Sequence, residues 1–331
     1  KWHLGWDWPL KSGGVLRDSL SYLSPGGNRI AAAEELIDYK KPLINGPLTH
    51  GFDHYFGDDV PNYPPYAFIT DDQLTTLPDQ QKPDDMFGTP GLMTEDWQLD
   101  AVMPAITDHA TDYILEASQT ANPFFLYIPL TAPHTPIAPA GAWRGSSDAG
   151  AYGDYVQQVD ATVGQIQQAL SRAGIRENTL MIFTSDNGSP ARNGEGMSGP
   201  LRSVHQTGHF PNANWRGIKS DIWEGGHRIP LIISWPEHIR TGSVSHLVCL
   251  NDLMATLAEI ASLTLPEGSA EDSRSFKQVL FQKDANPPRQ SVVHHSIAGT
   301  FAIRKGNWKL ITARGSGGWS MPNRSLTGQD D

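Results

Sequence analysis

The chain has 331 residues, which is long enough for one large domain and one small domain. Its formal net charge is −11 and it contains no long basic run, so the sequence argues against a nucleic-acid partner. No apolar stretch approaches the length of a membrane span. The single cysteine, Cys249, excludes an internal disulfide and lies in the apolar run VCL, where we predict a buried small hydrophobe.

The first third of the chain is irregular and rich in Gly, Pro and Asp. A short helix is predicted over residues 30–39, which contain several good helix formers. Residues 99–118 carry apolar side chains at helical spacing and are predicted to form an amphipathic helix. The next apolar run, Pro123–Leu130 (PFFLYIPL), is predicted to be a core strand.

His134 follows this predicted strand and lies between two prolines in the segment TAPHTP. Proline restricts the backbone and so limits the directions in which the imidazole can point. A functional histidine and a loop histidine that caps a backbone group are both compatible with this position.

The clearest helix on the chain precedes the most informative motif. This helix is predicted to end at Gly174, a C-terminal cap, and its apolar face comprises Val156, Val159, Val163, Ile166 and Leu170. The following residues, TLMIFTSDNG at 179–188, are predicted to be a short buried strand that stops at four turn formers. Strand, helix and strand in this order indicate a βαβ unit of an α/β protein.

Asp186 and Asn187 are thereby placed at the carboxyl end of a strand, where ligand sites of α/β sheets lie. A carboxylate beside an amide oxygen is a suitable half-site for a hard cation, and a plain turn after a core strand is the alternative. Asn187-Gly188-Ser189 also fits the glycosylation sequon, but an asparagine that ligates a metal in a pocket could not carry a glycan.

A long polar loop over 189–218 contains His205 and His209, and a loop of this length is usually functional or disordered. Lys219 follows and is predicted to face a ligand, whereas Glu224 and Arg228 are interpreted as a salt-bridged structural corner. Another core strand is predicted within 228–235.

The remaining elements are a helix from 251 to about 262, a polar linker over 264–290 and β patterning over 291–312 with a hairpin turn at 305–307. We predict two domains: an α/β domain over residues 1–265 and a C-terminal subdomain over 266–331 with a small antiparallel sheet.

Four motifs, KWHLG, APHTP, FTSDNG and KSDIWEGGHRIPLIISWP, together resemble the type I sulfatases of the alkaline-phosphatase-like superfamily. In detail they are most similar to bacterial carbohydrate sulfatases related to those acting on galactose or N-acetylgalactosamine 6-sulfate. The resemblance implies a mixed, largely parallel α/β sheet flanked by helices. It further implies hydrolysis of sulfate monoesters on a sulfated small molecule or glycan, by a calcium ion and a formylglycine nucleophile, in a periplasmic or secreted protein.

The resemblance also implies roles for individual residues. Asp186 and Asn187 match two ligands of one Ca²⁺ site, and Lys219 matches a lysine that binds a sulfate oxygen. His134 matches a histidine beside the leaving-group oxygen, which can protonate the departing alkoxide. A cation and lysines stabilise the charge on the peripheral sulfate oxygens through the transfer.

Lys1 and His3 match the motif residues that contact the sulfate and the hydrated catalytic aldehyde. Asp7, His205 and His209 are assigned to a candidate sugar subsite on position alone.

The family's nucleophile is made from Cys or Ser in C/S-x-P-x-R, and two further aspartates complete the calcium site. Cys249 fails this pattern, and Ser320-Met321-Pro322-Asn323-Arg324 fits it by letters but follows the C-terminal sheet. We therefore expect a chain that lacks the N-terminal nucleophile and metal aspartates, and that is inactive by itself.

Two alternatives remain open on the sequence. One is a phosphomonoester or phosphonate hydrolase of the same superfamily. The other is a sulfatase-like protein that binds a sulfated glycan without cleaving it.

Overall fold

The computed structural model describes residues 2, 4–17, 33–190, 204, 207–282 and 285–323. It divides into two compact units, the first formed by residues 1–174 and 196–208 and the second by residues 175–195 and 209–331. The domain boundary predicted at 265/266 stays a prediction. Among the described helices, none combines the length and apolar character that a membrane crossing requires.

The first unit begins with small antiparallel sheets. β1 (Asp7–Pro9) pairs with β2 (Val15–Arg17), and β3 (Phe56–Gly57), β4 (Ile69–Thr70) and β5 (Gln73–Leu74) form a second sheet. β6 (Gln80–Gln81) pairs with β7 (Leu92–Met93). Short 3₁₀ turns lie at Glu34–Leu36, Pro47–His50, Leu99–Ala101 and Gly141–Trp143.

The predicted helix over 30–39 is corrected by the described part of that segment. Ala33 is helical, the 3₁₀ turn Glu34–Leu36 follows it, and the preceding residues of the prediction lie outside the described ones. The backbone is already extended at Ile37, whose side chain is buried against Trp6 and Trp8 in the core. Tertiary packing has overridden the local helix preference here.

Two long helices complete the first unit. α1 (Val102–Ala117) confirms the helix predicted over 99–118, and α2 (Gly150–Arg172) confirms the next one. The buried hydroxyls of Thr107 and Thr162 lie 3.1 Å apart, which places these small residues at the contact between the helices. Gly174 has φ of 70° and ends α2 as predicted.

The predicted apolar face of α2 is buried at three of its five residues and half-buried at Val163. Val159, Ile166 and Leu170 are buried, whereas Val156 is 41% exposed. Its neighbour Tyr155, 2% exposed, occupies the core side of that turn instead.

The predicted strand over 123–130 is wrong for the described structure. The segment is not assigned to a strand, and Phe125 and Tyr127 are 68% and 56% exposed. A strand needs a partner for its backbone groups, and no described residue pairs with this segment in a ladder. The expected strand–helix–strand pairing is therefore not formed by these elements.

The second unit contains the strand that carries the central motif. β8 (Met181–Thr184) pairs antiparallel with β9 (Leu231–Ser234), so both predicted strands form. The prediction that they are buried is wrong, because their residues are half-buried or, at Ile232, exposed. A short helix, α3 (Glu224–His227), precedes β9. α4 (Asp252–Ile260) confirms the helix predicted from 251, and the linker after it contains α5 (Lys277–Phe281).

A three-stranded antiparallel sheet forms the C-terminal part, as the β patterning predicted. β10 (Ser291–His295) pairs with β11 (Phe301–Lys305), which pairs with β12 (Trp308–Ile311). Lys305 lies opposite Trp308, so the hairpin turn is where it was predicted. Ala302 of this sheet is buried against Ile222 and Trp223, which joins the sheet to the segment before β9.

Candidate functional site at the end of strand β8

The turn after β8 presents Asp186 and Asn187 at the surface of the second unit. The Ser185 hydroxyl donates to the Asn187 carbonyl at 3.0 Å, which closes the turn locally. Asp186 is exposed and Asn187 is half-buried. The Asn187 amide donates to the Gly188 carbonyl at 3.1 Å, and this fixes the orientation in which its Oδ1 is the remaining acceptor.

Close backbone packing holds this turn against the corner formed by α3. The Gly188 N–H donates to the Gly226 carbonyl at 3.1 Å. A Cβ added to Gly188 would lie 1.7 Å from the Gly225 carbonyl oxygen, and one added to Gly225 would lie 2.0 Å from the Gly217 carbonyl oxygen. Glycine is therefore required where three backbone layers meet: the strand-end turn, the corner and the loop before it.

The loop that carries Lys219 is tied to the same turn. The Lys219 N–H donates to the Ser189 carbonyl at 3.2 Å. Asp221, fully buried, accepts the Ile218 N–H at 2.9 Å and the Ser320 N–H at 3.0 Å, which connects the loop to the C-terminal segment. Among the described residues, the Lys219 side chain has no ion-pair partner. The structure thus brings Asp186, Asn187 and Lys219 into one backbone-linked cluster.

Glu224 at the corner is a structural anion. Its carboxylate accepts hydrogen bonds from Arg304 of β11 and from the Lys309 ammonium at 3.0 Å, and Arg228 lies 3.8 Å away. Burial alone would raise the pKa of Glu224, but the hydrogen bonds and charges of Lys309 and Arg304 hold that pKa below its usual range. The interpretation of Glu224 and Arg228 as a salt-bridged corner is confirmed.

The sequence did not predict that Arg304 and Lys309 bind Glu224. They are about 80 residues beyond Glu224 in the chain, and their partner is set by the way the C-terminal sheet packs on the corner. Their only signal in the sequence is a pair of cations on two paired strands, which is typical of many solvated sheets.

His134 lies in the first unit, and its ring is oriented by the adjacent backbone. Its Nδ1 is 2.6 Å from the Thr135 carbonyl oxygen, which can only accept, so Nδ1 carries the proton. In the neutral ring Nε2 is then the basic nitrogen, which is the arrangement a proton-transferring histidine needs. This contact is compatible both with a functional histidine and with a loop histidine that binds a backbone group.

Asp7 is buried in β1 of the first unit, where its carboxylate accepts a hydrogen bond from Asn45 at 3.4 Å. His209 is exposed in the second unit. Lys1, His3 and His205 lie outside the described residues. The roles predicted for all five stay predictions.

Cys249 and Ser320, the two residues compared with the nucleophile motif, have ordinary structural positions. Cys249 is a free thiol that is half-buried and not buried as predicted, and its backbone N–H donates to the Asp252 carboxylate at 2.8 Å. Ser320 uses its backbone to brace Asp221 and Ser316, and Arg324 of the same letter pattern lies outside the described residues.

The side chains at the β8 turn fit part of a hard-cation site. A carboxylate at Asp186 and an amide oxygen at Asn187 are the donors that Ca²⁺ takes in proteins, and a seven- or eight-ligand ion needs several more oxygens. Within the described residues, no group of three or more His, Cys, Asp or Glu side chains converges on one point. The turn therefore offers two oxygen donors of the kind that Ca²⁺ takes, next to the loop that carries Lys219.

The chain is an α/β protein in which a carboxylate, an amide and the loop of a lysine lie together at a strand end. The sulfatase family model matches residues 26–263, well over half of the chain. The chain belongs to the sulfatase family, and its fold is the alkaline-phosphatase-like α/β fold of that family.

Individual relatives are sulfatases of several kinds. The chain is 34% identical over 215 residues to an N-acetylgalactosamine-6-O-sulfatase of Bacteroides thetaiotaomicron, covering 65% of this chain and 41% of the relative. It is 30% identical over 263 residues to an arylsulfatase of Hemicentrotus pulcherrimus, covering 80% and 45%. The chain thus spans less than half the length of these curated relatives.

A solved structure from work on the metabolism of multiple glycosaminoglycans by Bacteroides thetaiotaomicron is similar over most of the chain. Its TM-score is 0.75 at 26% identity, covering 94% of this chain and 66% of that one. A Pseudoalteromonas sulfatase structure, PsFucS1, gives a TM-score of 0.56 at 28% identity over 68% of this chain and 42% of that one.

Proposed function

We propose that the complete gene product hydrolyses sulfate monoesters on a carbohydrate, through a formylglycine nucleophile and one calcium ion. The observation that carries the proposal is the cluster at the end of β8. There, the turn that carries Asp186 and Asn187 is joined by a backbone hydrogen bond to the loop that carries Lys219. Family membership supports the reaction class, and the names of the relatives support a sulfated sugar as substrate.

Each described residue has a task that its position suits. Asp186 and Asn187 would hold the calcium ion, which when bound supplies positive charge opposite the sulfate oxygens. Lys219, without an ion-pair partner among the described residues, would bind one of those oxygens. His134, with its proton on Nδ1, would exchange a second proton through Nε2 with the leaving-group oxygen.

The nucleophile is proposed to lie outside these 331 residues. No Cys or Ser of the chain combines C/S-x-P-x-R with the position that the family gives it, and the chain covers 41% of its N-acetylgalactosamine-6-O-sulfatase relative. The two remaining calcium aspartates are proposed to lie there as well. A periplasmic or secreted location belongs to the same proposal and rests on the resemblance alone.

Sulfate release from N-acetylgalactosamine 6-sulfate tests the proposal. The complete gene product should release sulfate at a rate typical of enzymes, and its activity should fall at least 100-fold in Lys219→Ala. The 331-residue chain alone should release none. Enzyme-like turnover by that chain would refute the placement of the nucleophile, and tight glycan binding without turnover by the complete product would favour the non-catalytic alternative.

A further inference from the structure

Asn212 contacts the candidate site without belonging to it. Its side-chain Oδ1 accepts the Ser189 N–H at 2.9 Å, and its Nδ2 donates back to the Ser189 carbonyl at 2.9 Å. One amide thus satisfies both backbone groups of a residue that lies two positions after Asn187. This two-point contact imitates the pairing of a neighbouring strand and fixes both the position and the orientation of Ser189.

The same amide also reaches the loop of Lys219. Its Nδ2 lies 3.4 Å from the Gly217 carbonyl oxygen, two residues before that lysine. The Ser189 carbonyl, which accepts from Asn212, accepts the Lys219 N–H as well, at 3.2 Å. Asn212, Ser189 and Lys219 therefore form one short hydrogen-bonded chain between the metal-ligand turn and the anion-binding loop.

The contact spans the ends of a long loop. Asn212 lies 23 residues after Ser189, and most of the intervening residues are outside the described ones. A side-chain contact across such a separation closes the loop at its base, independently of the path that the loop takes. Replacing this half-buried amide by a group that cannot form hydrogen bonds would be costly, because the Ser189 N–H and the Gly217 carbonyl would both lose their bond to Asn212.

We infer that Asn212 is a positioning residue that holds the calcium-ligand turn and the sulfate-binding lysine in one fixed arrangement. The inference rests on the proposed function, because it assigns a purpose to the contact only if Asp186, Asn187 and Lys219 bind a cation and a sulfate. Loss of the contact removes the side-chain bonds that orient the two segments and leaves the Lys219–Ser189 backbone bond, so the segments can shift and both affinities fall together. By contrast, a change in one ligand lowers only one of them.

The test measures calcium chloride and sodium sulfate binding to the complete gene product by calorimetry, below the unfolding temperature. Asn212→Ala and the isosteric Asn212→Asp should each weaken both affinities about ten-fold, the effect typical of residues that orient metal ligands. Asn214→Ala is the matched control, since Asn214 is exposed two residues away and should bind both ions as the wild type does. Asp186→Ala should weaken calcium binding, and Lys219→Ala should weaken sulfate binding.

Hydrogen exchange gives a second measurement that needs no variant to fold. The Ser189 amide of the wild-type protein should exchange at least ten-fold more slowly than an unstructured amide, because Asn212 Oδ1 holds its proton. An unprotected Ser189 amide overturns the inference. The inference is also overturned if the wild type binds both ions and Asn212→Asp binds calcium and sulfate with the same affinities as the wild type. If the wild type binds neither ion, the proposed function fails and the inference fails with it.

Discussion

Replacing Gly188 by alanine tests how tightly the β8 turn depends on the α3 corner. The new Cβ would lie 1.7 Å from the Gly225 carbonyl oxygen, half the 3.4 Å at which ordinary contact begins. The obstacle is backbone, so no side chain can rotate away. The corner must shift, and the Gly188–Gly226 hydrogen bond of 3.1 Å must lengthen or break.

The cost follows from these two effects. A backbone displacement caused by overpacking costs about 1–3 kcal/mol, and the lost hydrogen bond costs about 1 kcal/mol more. We therefore expect Gly188→Ala to lower the free energy of unfolding by about 2–4 kcal/mol, a large share of the stability of a typical domain. Urea denaturation followed by circular dichroism measures this difference.

Gly242→Ala is the matched control for this experiment. A Cβ at Gly242 meets no atom within 4 Å, so its effect should stay within about 0.5 kcal/mol. If Gly188→Ala is as stable as Gly242→Ala, the three-layer packing described for the turn is refuted.

Two further predictions concern buried charge in the second unit. Burial, followed by the charge of a nearby lysine, lowers the pKa of His227 and lowers that of His294 to about 4, and the two rings lie 4.4 Å apart. The unfolded chain binds protons more readily below pH 6.5, so stability should fall by about 2 kcal/mol as pH drops from about 6.5 to 4. His294→Gln should flatten this pH dependence, and a curve identical to that of the wild type would contradict the cause given. Asp252, fully buried, forms an ion pair with Arg289, so Asp252→Asn should lower the free energy of unfolding by about 3–5 kcal/mol in urea denaturation. The control Asp272→Asn, at an exposed position, should be nearly neutral. Equal stabilities of the two variants would refute the importance of the buried pair.

Local sequence signals predicted the elements whose formation depends on neighbours in the chain. β8, α1, α2 and the C-terminal hairpin each have a clear period or a strong turn signal, and the structure confirms them. The 123–130 segment has an equally clear apolar pattern, but a strand forms only where a partner strand is available. Its pattern describes side chains and gives no information about that partner.

The site shows the same division between local and distant information. The Asp186-Asn187 turn could be predicted because its residues are adjacent and end a strand. The Asn212 contact and the two cations on Glu224 could not, because they join residues 23 and about 80 positions apart. Such pairs depend on how loops and sheets pack, and no periodicity in the sequence records that packing.

The central claim is that the β8 cluster serves sulfate transfer. The most direct test compares kcat/KM of the complete gene product for the sulfate and the phosphate monoester of one alcohol, with calcium present. In the proposed site, an amide ligand at Asn187 would leave the metal site less negative, which would suit a single calcium ion and a singly charged sulfate ester. The account predicts that the sulfate ester is the better substrate by at least 100-fold. A preference for the phosphate ester would contradict it.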